Sequence, residues 1–148
     1  AMAELGKRYS QLNKPKRFFS SAKTVFELMN GKLKDEKQEN FIIIHLNNKN
    51  HFIKEELITK GLLDTSIIDV REVFKSAIRN SAARIILVHN HPSGDPHPSK
   101  EDTEVTEKLV DAGNLLGIKV LDHVIIGRDS YWSWRENGGP KQPRLGQD

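Results

Sequence analysis

The chain has 148 residues, no cysteine, 36% apolar and 29% charged residues, and a formal net charge of +3. That length suffices for one domain with a real core, and the lack of cysteine excludes disulfides, thiolate metal ligands and cysteine nucleophiles. No apolar run approaches the roughly 20 residues needed to span a bilayer, and the polar N-terminal stretch lacks the apolar core of a secretion signal, so a reducing, cytoplasmic setting is expected.

In chain order, residues 3–12 read as a short helix and 13–17 as a linker, with Lys14-Pro15-Lys16-Arg17 a basic cluster in it. The cluster reads as a solvated linker or a phosphate contact; no aromatic stacking platform accompanies it. Ser20 or Ser21 caps a predicted helix from about Ala22 to Asn30, with Val25, Phe26 and Met29 on one face and Gly31 ending it. Lys32–Gln38 is charged. Phe41–Leu46 then predicts a strand, Asn47–Asn50 a turn, and Phe52–Thr59 a second strand that completes a hairpin. Leu62–Ile68 predicts a third, short strand. Asp69 and Glu72 have the spacing of a capping box, opening a helix to about Ala82 that buries Val73, Phe74, Ala77 and Ile78.

Ile85–Val88 predicts a buried strand, and three prolines and a glycine within residues 92–98 predict a rigid loop after it. Ser99 opens another helix whose apolar residues Val105, Leu109, Ala112 and Leu116 share a face, with Gly117 closing it. Ile118–Ile126 and Tyr131–Trp134 predict two more strands, and residues 137–148 a flexible, Gly-, Pro- and Gln-rich tail. Helices and strands alternating after an opening hairpin predict an α/β fold, a mixed β-sheet sandwiched by helices.

Chemistry concentrates in residues 89–102. His89 and His91 are two apart, so on an extended chain they point to the same side. Asp102 falls in the first turn of the next helix. Two imidazoles and a carboxylate can therefore meet at one point, the ligand set of a catalytic zinc site with its fourth position open. Ser99 is the expected N-cap, and as a cap it fixes where Asp102 points.

His89-x-His91, then seven residues, Ser99, two residues and Asp102, resembles the JAMM motif of MPN-type metalloproteases. More narrowly, His89-Asn90-His91-Pro92-Ser93-Gly94-Asp95 with Pro98-Ser99, together with Glu39-Asn40-Phe41, Arg71-Glu72-Val73-Phe74 and Leu121-Asp122-His123-Val124-Ile125-Ile126-Gly127, resembles the RadC family. The resemblance covers about residues 20–136, leaving 1–19 as an N-terminal helix and linker similar to the trailing end of a helix-hairpin-helix segment. It implies an MPN/JAMM-like (cytidine-deaminase-like) fold. It also implies a zinc-dependent metallopeptidase or isopeptidase in which His89, His91 and Asp102 hold Zn2+, Ser99 stabilises the oxyanion, and Glu39 is the general base. The family's traditional label adds a DNA-repair association. Asn90 departs from the Ser or Thr that the deubiquitinating branch places between its histidines.

Other residues carry plainer expectations. Glu72 competes for the role of base but already has a capping task. His97 is out of register and exposed, His45 and His51 carry no signal, and Asp122 with His123 reads as a buried structural pair or as support for the site. One of Trp132 and Trp134 packs in the core and the other lines a groove. Beside metal-assisted hydrolysis of a peptide or protein stand a nucleic-acid-associated module and a silent interaction domain. An exposed strand leaves a homodimer open.

Overall fold

The computed structural model describes residues 17–139. The predicted helix over 3–12, the linker over 13–16 and the tail beyond 139 lie outside the described residues. Five strands, β1 (Asn40–Leu46), β2 (Phe52–Lys60), β3 (Arg84–Asn90), β4 (Lys119–Ile126) and β5 (Tyr131–Ser133), form one mixed sheet in the order β2-β1-β3-β4-β5. All neighbours pair antiparallel except β3 and β4. A parallel pair needs a long crossover, and α3 (Lys100–Leu116) supplies it; α1 (Ala22–Leu33) and α2 (Val70–Arg79) complete the helices.

The sheet is covered on both faces. Ile85 and Leu87 of β3 join Phe41, Phe74 and Leu109 in the core beneath α2 and α3, while Ile86 and Val88 join Val25, Met29 and Ile44 in the core beneath α1. Alternate side chains of one strand thus feed two cores. This is why β3 reads as an unbroken apolar run rather than an alternating one. The predicted helix–sheet–helix sandwich is the fold.

Several local expectations are corrected. Leu62–Ile68 is not a strand: the Asp64 side chain accepts from Ser66 N at 2.8 Å. That local bond diverts the backbone into a turn and competes with a ladder. α1 runs past Gly31 to Leu33, because burial of Leu33 outweighs the roughly 1 kcal/mol a helical glycine costs. Asp69 caps α2 by accepting from Arg71 N at 2.9 Å, without Glu72 closing a box. α2 stops at Arg79, Ser81 takes a φ of 53°, and Ile78 is left 62% exposed with no further turn to cover it. On α3 the buried residues are Asp102, Val105, Thr106, Leu109 and Gly113, with Ala112 half-buried and Leu116 exposed. The buried stripe therefore leans on polar residues and glycine that apolar spacing does not select. Gly117 ends α3 with a φ of 73°, as expected.

Gly113 shows how closely α3 approaches the sheet. A β-carbon there would sit 2.3 Å from the Ile118 carbonyl oxygen. Gly113→Ala is expected to destabilise the fold by about 1–3 kcal/mol through overpacking, although alanine favours helix by about 1 kcal/mol. Urea denaturation measures it, and a variant as stable as the parent contradicts the close approach.

Candidate metal centre

The centre forms where β3 ends and α3 begins. His89 lies in β3 opposite Phe41 of β1 and is fully buried. Its Nδ1 lies 2.7 Å from Nε2 of His123 on β4, a ring that burial, with His89 beside it, keeps well below the ordinary imidazole range. His91 sits just past the strand, yet its backbone N still donates to Ile126 O at 2.9 Å. The sheet therefore aims both rings. Ser99 caps α3: its Oγ accepts from Asp102 N at 3.1 Å, while Asp102 Oδ2 accepts from Ser99 N at 2.8 Å. This capping box leaves the carboxylate little rotational freedom.

Three ligand side chains converge. His89 Nε2 and His91 Nε2 are 3.0 Å apart, Asp102 Oδ1 is 3.2 Å from the first and Asp102 Oδ2 is 3.0 Å from the second. His91 Nδ1 lies 2.8 Å from the carbonyl of Asp95. A carbonyl only accepts, so Nδ1 carries the proton and Nε2 presents a lone pair to the cluster. Burial opposes charge on Asp102, but its contacts with the His89 and His91 rings dominate and hold its carboxyl well below the usual carboxylate range. Burial likewise opposes charge on His91, yet the bonds to Asp102 and the Asp95 carbonyl, with the charges of Asp102 and Glu39, raise its pKa. The arrangement invites a positive charge at its centre, from a proton or a metal ion.

Glu39 is the second carboxylate. Its Oε1 is 3.8 Å from His91 Nε2, and ligand atoms of Glu39, His89 and His91 all lie within 4.8 Å of one another, a group that could hold a metal. Glu39 Oε2 accepts from Leu63 N at 2.9 Å, and its backbone carbonyl accepts from Gly61 N. Leu63, in the stretch expected to be a strand, and Gly61 just before that stretch thus grip this glutamate at two points. Asn90, between the histidines, grips it from the other side: Oδ1 accepts from Asn40 N at 2.7 Å and Nδ2 donates to Gln38 O at 3.0 Å. Thus Asn90 holds the residues flanking Glu39 on both sides. A groove of about 860 Å3 opens above, lined by Glu39, Leu62, Leu63, His91, Ser99 and Asp102 among others.

The remaining candidates fall elsewhere. Glu72 is exposed on α2 and borders a different hollow, with Lys75 and Ser76. His97 is exposed and pairs with Asp95 at 3.0 Å. Trp132 and Trp134 are both half-buried and outside the groove. Asp122 and His123 do not pair through their side chains: Asp122 accepts from the backbone N of His123, from Ser133 Oγ and from Arg135 N. The His123 ring turns instead to His89 and Thr106. No periodicity marks Asn90, Leu63 or Thr106 for these tasks; for Asn90 the only hint was its place between two histidines.

A family model described as RadC-like JAB domain matches residues 19–139. A UPF0758 protein of Methanosarcina mazei is 51% identical over 139 residues, 93% of this chain and 61% of the relative. A UPF0758 protein of Staphylococcus haemolyticus is 52% identical with the same coverage, and one of Chlorobium luteolum is 50% identical over 137 residues. The chain thus spans about 61% of the length of these curated relatives. Among the described residues no helix is long and apolar enough to cross a membrane.

Asn90→Ala leaves the buried Asn40 N–H without its acceptor. A loss of about 1–3 kcal/mol in unfolding free energy is expected. An unchanged denaturant midpoint rules out the clamp.

Proposed function

For a chain that belongs to the RadC family, we propose that residues 20–136 act as a zinc-dependent metallohydrolase that cleaves an amide bond in a peptide or protein. One observation supports this above the others: His89 Nε2, His91 Nε2 and the Asp102 carboxylate sit 3.0–3.2 Å apart. Donors about 2.0–2.1 Å from a tetrahedral zinc lie about 3.3 Å from one another, so these three suit it. Bound there, zinc would supply Lewis acidity, polarising a carbonyl and lowering the pKa of water toward about 7.

Asp102 is the better third ligand and Glu39 the better base. Both Asp102 oxygens are nearer the histidines than the 3.8 Å of Glu39 Oε1. Glu39 Oε2 is held by Leu63 N, so Oε1 is the oxygen left to take a proton from water and return it to the leaving amine. The Ser99 Oγ is an acceptor in the cap, and its own O–H has no acceptor among the described residues. In this reading it donates to the developing oxyanion, a contribution of about 3–4 kcal/mol where measured in other enzymes. The groove brings four carboxylates, Glu39, Asp64, Glu101 and Asp102, against one ammonium, Lys37. Such a surface repels a phosphate backbone and favours an amide substrate over nucleic acid.

The test pairs metal content with turnover on fluorogenic peptide and lysine-isopeptide libraries. Glu39→Gln is expected to keep one zinc per chain and lose about 10²–10⁴-fold in rate, while His89→Ala and Asp102→Ala lose the zinc. Full activity in Glu39→Gln sinks the base, and parental zinc affinity in His89→Ala sinks the centre.

A further inference from the structure

Beneath the centre lie two buried polar residues that the proposed chemistry does not use, His123 and Thr106. We propose that they are positioning residues that lock His89 in the tautomer able to bind a metal, through a hydrogen-bond chain that returns to Asp102. This rests on the metal reading of the centre and adds what fixes its most buried ligand.

The hydrogen bonds run in one direction. Thr106 Oγ donates to the Asp102 carbonyl at 2.8 Å. With its proton so used, the oxygen accepts from His123 Nδ1, 2.5 Å away. His123 Nε2 then carries a lone pair and accepts from His89 Nδ1 at 2.7 Å. His89 Nε2 is left unprotonated, facing His91 and Asp102. Each bond dictates the next, because a neutral imidazole has one donor and one acceptor nitrogen. The loop closes on a single residue: Asp102 meets His89 with its carboxylate and anchors Thr106 with its carbonyl.

The backbone is shaped for this contact. Val120 packs in the core beneath α2 and α3, and His123, three residues on, also turns toward α3. Simple alternation would put them on opposite faces. The β3–β4 pairing skips Leu121, running from Ile85↔Val120 to Ile86↔Asp122. The bulge reverses the phase and re-aims His123. Thr106 stands one helical turn after Asp102, so both reach the sheet from one face of α3. Phe41 packs edge-on against His123, with ring centroids 6.2 Å apart, and offers neither ring nitrogen a competing partner.

Reversed, the chain would place the proton on His89 Nε2 and close that nitrogen to a metal. Thr106→Val deletes the hydroxyl at nearly constant volume and removes the acceptor for His123 Nδ1. It is expected to weaken zinc binding about 10–100-fold in competition with a chromophoric chelator, while Thr106→Ser retains parental affinity. Equal affinity in the valine and parental proteins overturns the lock while leaving the metal reading intact. No zinc binding by the parental protein removes the metal reading and the lock with it. Long-range 1H–15N NMR of the parental imidazoles needs no variant: Nδ1–H on both His89 and His123 is expected, and Nε2–H on His123 overturns the proposal.

Discussion

Two imidazole edges and the Asp102 carboxylate are held 3.0–3.2 Å from one another, with the Glu39 carboxylate 3.8 Å from His91, and most of the surrounding structure exists to keep them there. Left to themselves, such groups would separate into water, where each is better solvated. They stay because none is free to move. His89 is carried by a strand whose Ile85, Ile86, Leu87 and Val88 are fully buried. Asp102 is fixed by the cap of α3, and Glu39 by bonds from Gly61 and Leu63 and the Asn90 clamp beside it. The hydrophobic cores on both faces of the sheet supply the free energy that offsets this local frustration.

The side chains come from the ends of elements rather than from their middles. Glu39 precedes β1, His89 and Asn90 close β3, and Asp102 lies in the first turn of α3. Ends are where regular backbone pairing stops and side chains can turn toward one another, yet a rigid body still lies just behind them. The same economy shows in double roles. Asp102 serves the capping box and the cluster with one carboxylate, and Asn90 of β3 bonds with one amide both to Asn40 of β1 and to Gln38 just before it.

Much of this was legible in the residues. The His-x-His pair, the Ser99 cap and Asp102 follow from spacing and capping rules, and Glu39 came with the family resemblance. The structure brings all of them into one place. The strands β1 and β3 are legible because each carries an unbroken apolar run, and β4 because apolar, largely β-branched residues flank its Asp122 and His123 on both sides. What escaped was set by tertiary packing. Apolar spacing runs the α3 stripe through Ala112 and Leu116, because it cannot register a buried Asp102, Thr106 or Gly113. Leu62–Ile68 carries apolar pairs at both ends that suggest a short strand, but an aspartate two residues before a serine diverts it into a turn. Sequence adjacency ties His123 to Asp122, since a bulge between partner strands leaves no mark in one sequence. Asn90 stands out in the sequence only as a departure from the motif, because its partners lie some 50 residues away.

The capping box at Ser99 and Asp102 has one more consequence. Asp102 Oδ2 is already engaged by Ser99 N, and the strands and helix behind the cluster are secured by apolar contact, not by coordination. In small zinc modules the ion is the keystone, and chelation unravels the chain. Here the cap and the two hydrophobic cores orient the ligand side chains without calling on coordination. On the proposed metal reading, chelation would empty the site and leave the chain folded.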